Sequence, residues 1–233
     1  MKKILIGLLA LTAISYAKEV TPAPIVKEEA KPIEEVYVPA KYYNVYLRAG
    51  GDVYSQFNRV DYEGVGLGGK SSKGMGYEVA LELTKSTLDN MLEVGWGVAY
   101  QKHAKFKSED GIFGGVNYDS DLDSFDSIPI YLTAKYNFLN FENGAVPYIK
   151  GDAGYSINRN NSGEIRFDGL EYNTDVKNGG YFGLGAGMEY DNFLVDLMYK
   201  LNTGKIEGEN DFDWDDSLRN YRVTLSVGYK FNF

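Results

Sequence analysis

From Tyr42 onward, apolar and polar residues alternate with a period of two, the spacing of a strand whose faces meet different surroundings. Eight such segments stand out, at about 43–54, 75–84, 91–101, 128–138, 147–158, 180–190, 193–202 and 219–233. The stretches between them alternate in length. Long polar ones fall at about 55–74, 102–127, 159–179 and 203–218, and short ones at about 85–90, 139–146 and 191–192. Asp191-Asn192 suits a two-residue hairpin turn. Short turns at one end and long loops at the other predict an antiparallel up-and-down meander.

One parity of every segment is free of charge and rich in large apolar and aromatic residues, such as Leu47, Leu81, Trp96, Leu132, Phe182, Leu197 and Val227. The other parity holds Arg48, Asp52, Glu78, Glu82, Glu93, Lys135, Lys150, Asp152, Glu189, Asp196, Lys200, Arg222 and Lys230. Where one segment carries two of these charges, both share a parity: Arg48 with Asp52, Glu78 with Glu82, Lys150 with Asp152, Asp196 with Lys200, Arg222 with Lys230.

A soluble barrel would turn the apolar face inward, and a membrane barrel would turn it to lipid. The apolar face carries more Tyr, Phe and Trp than a small lumen can hold. The charged parity is rich in glycine, including Gly95, Gly97, Gly154, Gly183, Gly185 and Gly187. Glycine weakens an exposed strand, but inside a narrow barrel it leaves room for large side chains opposite, such as Tyr46, Tyr131, Arg48 or Arg222. A Lys or Arg on the lipid face costs ~2–4 kcal/mol near the midplane, which accounts for one parity without charge. The expected fold is therefore all-β: an eight-stranded antiparallel up-and-down transmembrane β-barrel with four long extracellular loops and short periplasmic turns. Hydrocarbon offers no partner to a free edge, so the first strand should pair with the last. Aromatics near the strand ends suit two interfacial girdles, with Tyr43, Tyr136, Phe138, Tyr190, Phe193, Tyr229 and Phe231 at one rim and Tyr77, Tyr100, Tyr155, Tyr199 and Tyr221 at the other.

The start of the chain differs. "MKKILIGLLALTAISYA" has two lysines, an apolar core and small residues at Ser15 and Ala17, so 1–17 reads as a cleaved signal peptide. Its apolar core is shorter than the ~20 residues of a spanning helix. Residues 18–41 hold Pro22, Pro24, Pro32 and Pro39 among lysines and glutamates, and read as an extended periplasmic tether. The barrel is expected over 42–233. Of 233 residues none is cysteine, which excludes disulfides and thiolate metal sites. A formal charge of −9 argues against nucleic-acid binding.

With the signal peptide, the strand layout, and stretches such as "PYIKGDAGYSI", "GGYFGLGAGMEY" and the terminal "VTLSVGYKFNF" in view, residues 43–233 resemble the outer-membrane protein A-like family of small eight-stranded barrels. The resemblance implies residence in the outer membrane of a diderm bacterium. It implies that Tyr229, Phe231 and Phe233 are read by the barrel-assembly machinery during biogenesis. The sequence stops at the barrel, so the peptidoglycan-binding domain of two-domain members is not expected.

An eight-stranded lumen is just wide enough for side chains to fill, so the thirteen charges should interlock as a polar plug, with Arg48 and Arg222 pairing to Glu78, Glu82 or Asp52. The expected role is structural and interactive: envelope integrity, adhesion or recognition of an extracellular ligand or host surface through the loops, by a monomer among outer-membrane lipids. The alternatives are a small gated, porin-like channel and a lipid-modifying enzyme. The one histidine, His103, is placed at the extracellular end of the third strand as a loop residue, with Ser108 or a distant residue as its nearest candidate partner. No catalytic residue, cofactor or metal is expected. "DSDLDSFD" (119–126) opens like a calcium loop but has Ser124 and Ile130 where such a loop needs Gly and Glu. "EGENDFDWDD" (207–216) reads as solvated carboxylates.

Overall fold

The computed structural model describes residues 43–58, 60–62, 65–68, 72–87, 91–106, 109–113, 116–121, 125–138, 144–160, 163–167, 170–208 and 215–233. The expected signal peptide and the tether at 18–41 lie outside the described residues. Eight strands build the wall: β1 (Tyr43–Phe57), β2 (Tyr77–Thr87), β3 (Leu92–Lys102), β4 (Phe125–Asn137), β5 (Ala145–Asn160), β6 (Gly179–Tyr190), β7 (Phe193–Gly208) and β8 (Asp215–Asn232). Each is antiparallel to its chain neighbours, and β1 pairs with β8 from Asn44↔Asn232 to Phe57↔Asn220. The Phe233 amide donates to the Tyr43 carbonyl at 3.0 Å. The sheet thus closes on itself into the up-and-down barrel that the alternation predicted.

Closure follows from the two-faced sequence. The wall's outer surface is apolar, with Leu132 71% and Trp96 52% exposed, and Leu184, Val195, Leu197 and Val227 similarly open. The hairpin between β6 and β7 turns through Asp191-Asn192, with Asp191 at φ 53°. Aspartate tolerates this left-handed region because its short polar side chain bonds nearby backbone. Rim aromatics pack on one another: Phe193 meets Tyr229 edge-on at 5.1 Å between ring centroids, and Tyr229 meets Phe231 at 4.8 Å. Glycine acts where a ring crosses the lumen. A Cβ on Gly97 would lie 2.7 Å from the Tyr131 ring, and one on Gly187 2.5 Å from the Tyr148 ring.

Three features depart from the alternation. A bulge shifts the β1–β8 register between Asp52 and Tyr54. One extra residue reverses parity beyond it, so Val53 and Tyr54 both face outward while Phe57, formally on the apolar outer parity, is completely buried. Next, β5, β7 and β8 outrun their expected lengths, because the ladder keeps satisfying backbone groups after the strands leave the apolar layer. Finally, the described parts of the long loops contain further short strands. Glu109–Phe113, Val116–Asp121, Gly163–Phe167 and Leu170–Lys177 pair in series, and the last of them pairs with the outer end of β7. Val60–Tyr62 pairs with Val65–Gly68, and Ser72–Lys73 with Lys105–Phe106.

Candidate functional site

The lumen is the site. Twelve of the thirteen charged side chains lie buried inside the wall; the thirteenth, Lys230, sits at the turn-end mouth with its side chain 15% exposed. They form three tiers, because inward positions recur every second residue on each strand and neighbouring strands bring those positions level.

The tier nearest the short turns centres on Glu93. Its carboxylate receives Lys135 at 3.1 Å, Tyr46 at 2.7 Å, and Asn44, Thr84 and Asn137 at about the same range. Lys135 also reaches Glu189 at 2.5 Å, and Lys230 reaches Glu189 at 2.7 Å. The Lys135 ammonium lies over the Tyr46 ring, 4.7 Å from its centroid, a cation–π contact in a desolvated place.

The middle tier joins Arg48 to Glu82 at 3.0 Å and to Asp196 across the lumen. The Tyr148 hydroxyl donates to Asp196, and the Tyr131 hydroxyl to Glu82, each at 2.8 Å. Lys150 bridges Glu82 at 2.7 Å and Asp152 at 2.8 Å. In the tier nearest the loops, Arg222 reaches Glu78 at 2.8 Å and Asp52 at 3.4 Å, and Lys200 also binds Glu78. Thr224 donates to Asp52 at 2.8 Å.

Of the pairings left open between the two arginines and Glu78, Glu82 or Asp52, Arg48 takes Glu82, and Arg222 takes Glu78 and Asp52. Asp196 as the second partner of Arg48 is not legible in the sequence, since it reaches in from the far wall. Six cations face seven carboxylates, and the surplus negative charge falls in the middle tier. There Asp152 Oδ1 and Thr133 Oγ1, on register partners, have no hydrogen-bond partner, nor does Arg48 Nη2. A buried ion needs its partner: losing one leaves a charge stranded at a cost of roughly 3–5 kcal/mol.

Above the tiers lies a cap that the sequence does not announce. Phe57 and Phe125 meet over the lumen at 6.2 Å, with Ala104, Ile206 and Leu218 buried at the same end. His103 belongs to this cap rather than to an exposed loop. It is 2% exposed and its ring lies 4.3 Å from that of Phe125. Its Nε2 sits 2.8 Å from Ser127 Oγ, and Ser127 donates to Asn158 at 2.8 Å. Burial, helped by the Arg222 cation below, holds the imidazole pKa well under its usual range. A base beside a hydroxyl is the first requirement of nucleophilic catalysis, but Ser127 is wholly buried and offers no approach to a substrate. Ser108 lies outside the described residues, as do Leu122, Asp123 and Ser124 of the calcium-like stretch and residues 209–214 of the acidic one. Among the described residues no group of His, Asp or Glu is placed to hold a metal ion. Phe231 and Phe233 are exposed at the end of β8, beside Tyr43.

No family model matches the sequence. An uncharacterised protein of Pasteurella multocida (strain Pm70) is 26% identical over 222 residues, which are 81% of this chain and 89% of that protein. Among solved structures, Ail, the attachment invasion locus protein of Yersinia pestis, crystallised with the heparin analogue sucrose octasulfate, aligns at 12% identity and a TM-score of 0.44, over 82% of this chain and all of that one. The outer membrane enzyme PagL aligns at 13% identity and a TM-score of 0.40, over 78% and 97%. The chain is a closed eight-stranded antiparallel barrel, similar in fold to these small outer-membrane barrels.

Proposed function

We propose that the protein is an outer-membrane barrel with a plugged lumen, which serves the envelope structurally and presents its loop-borne sheet for surface interaction. The observation that carries this reading is the three-tier ion-pair network. Every tier joins side chains from several strands, so an ion crossing the lumen would meet buried pairs at three successive levels. The apolar outer wall supports the membrane placement, since hydrocarbon is the surroundings that such a face needs. The paired outer ribbons support the presenting role, as rigid scaffolds hold recognition surfaces better than loose loops do. Tyr229, Phe231 and Phe233, at the end of the closing strand, are proposed to engage the assembly machinery.

Two measurements test the reading. Unboiled protein should migrate apart from boiled protein on a denaturing gel, as a closed barrel does. Wild-type protein in a planar bilayer should show no steady single-channel conductance. Regular openings would favour the small-channel reading instead. Hydrolysis of a lipid ester that is lost in His103→Gln would favour the enzyme reading.

A further inference from the structure

We propose that the middle tier of the lumen binds one small monovalent cation, sodium, between Asp152 and Thr133. The proposal deepens the plugged-lumen reading above and rests on it. Charge locates the site first. In the turn-end tier Lys135 and Lys230 balance Glu93 and Glu189, and in the loop-end tier Lys200 and Arg222 balance Glu78 and Asp52. In the middle tier Arg48 and Lys150 face three carboxylates, Glu82, Asp152 and Asp196. Arg48 is held by Glu82 and Asp196, and Lys150 is divided between Glu82 and Asp152. Asp152 is thus the carboxylate with the smallest share of positive charge.

Hydrogen bonding points to the same residue. Lys150 takes Asp152 Oδ2 at 2.8 Å, while Asp152 Oδ1 is buried without a partner. Thr133 Oγ1 is likewise buried and unpartnered, and the two residues face each other in register on β4 and β5. Asp152 is 6% and Thr133 4% exposed, whereas Leu132, Ala134 and Ala153 beside them lie open on the outer face, so both side chains point into the lumen. Residues directly opposite stand about 4.5–5.5 Å apart at Cβ, near enough for both oxygens to touch one ion. Gly95 and Gly183 follow on either side of the pair and bring no side chain to compete for the space. The tilted rings of Tyr131 and Tyr181, 5.1 Å apart, lie one inward position nearer the loops and screen the pair from that end. The charge of the ligand follows from the count. A buried surplus carboxylate needs one positive charge, and a divalent ion would replace a stranded negative charge with a stranded positive one. Carboxylate and hydroxyl oxygens suit a hard cation. A bridging water would satisfy the hydrogen bonds and leave the charge unbalanced.

The test uses the full chain refolded into neutral lipid vesicles and unfolded reversibly by urea at constant ionic strength, with sodium exchanged for N-methylglucamine, a cation too bulky for the lumen. A ligand that binds only the folded state multiplies the folding equilibrium constant by one plus the ratio of its concentration to Kd. A site half filled near 10 mM sodium gives about a tenfold rise between about 1 and 100 mM. Asp152→Asn should abolish that rise. Thr133→Val keeps the charge and removes one oxygen, so binding about tenfold weaker should cut the rise to about twofold. Should Asp152→Asn not fold, by the boiled-versus-unboiled gel shift, Thr133→Val carries the test. Wild-type stability indifferent to sodium overturns the proposal, as does a rise that the folded variants keep in full. Stability that ignores sodium but falls as the pH rises from about 5 to 8, in wild type and not in Asp152→Asn, overturns it in favour of a proton on Asp152. Steady conductance of wild-type protein in a planar bilayer overturns the plugged lumen, and the proposal falls with it whatever the sodium response.

Discussion

Arg222 is the sharpest place to test the lumen. Its side chain is 0% exposed, and it neutralises Glu78 at 2.8 Å and Asp52 at 3.4 Å. Arg222→Met keeps much of the volume and removes the charge. Glu78 would still hold Lys200, but Asp52 would keep only the Thr224 hydroxyl. Two carboxylates would then face one cation in a buried tier. Stranding a buried charge in this way costs about 3–5 kcal/mol, a factor of hundreds to thousands in the folding equilibrium. Adding Asp52→Asn restores the balance of that tier, since one cation then faces one carboxylate. The double variant should recover at least about 1–2 kcal/mol of the loss, a coupling of the size seen between contacting residues. The assay is reversible denaturant unfolding in lipid vesicles, followed by the fluorescence of the outward-facing Trp96. A single variant within about 1 kcal/mol of wild type, or a double variant no better than the single, would refute the interlocked network.

Further tests probe the wall, the packing and the cap. Leu132→Lys should cost ~2–4 kcal/mol in the same vesicle assay, because on the proposed membrane placement this open position faces hydrocarbon. Gly187→Ala should cost roughly 1–3 kcal/mol by driving a methyl group into the Tyr148 ring, whereas Gly151→Ala, whose Cβ would meet only the Gly183 carbonyl at 3.9 Å, should be nearly neutral. His103 sets a pH dependence. Its folded pKa is depressed by burial, so below about pH 6.5 the unfolded chain takes up a proton that the folded chain refuses. Stability is then full above about pH 6.5 and falls as the pH drops below it. His103→Gln should remove that slope; an unchanged slope would assign it to other groups.

The strand count, the parity of each face, the closure of β1 on β8 and the two-residue turn at Asp191-Asn192 were all legible, because a period of two is a one-dimensional signal. What parity does not carry is height. It places Arg48 and Asp196 inside, but only the relative register of distant strands brings them together across the lumen. The bulge beside Val53 left no mark in the alternation, and Phe57, which fell in the expected loop 55–74, gave no sign of turning into the lumen. His103 read as a loop residue because its burial depends on Phe125, whose inward turn depends on where β4 begins. The ribbons within the long polar connections went unread because they fall below the length at which alternation is distinguishable from chance. Thr133 and Asp152 lie on different strands, and only the ladder sets them side by side.

The seam between β1 and β8 has a kinetic corollary. Its partners, such as Val45 and Phe231, are separated by nearly the whole described chain. Such a seam is the last to zip, because the intervening chain must be in place before those contacts reward the loop entropy spent. Once zipped, the ring has no loose margin from which unravelling can start. Opening therefore demands rupture of an entire ladder at once, so the native state should persist for long times even where its equilibrium advantage is modest.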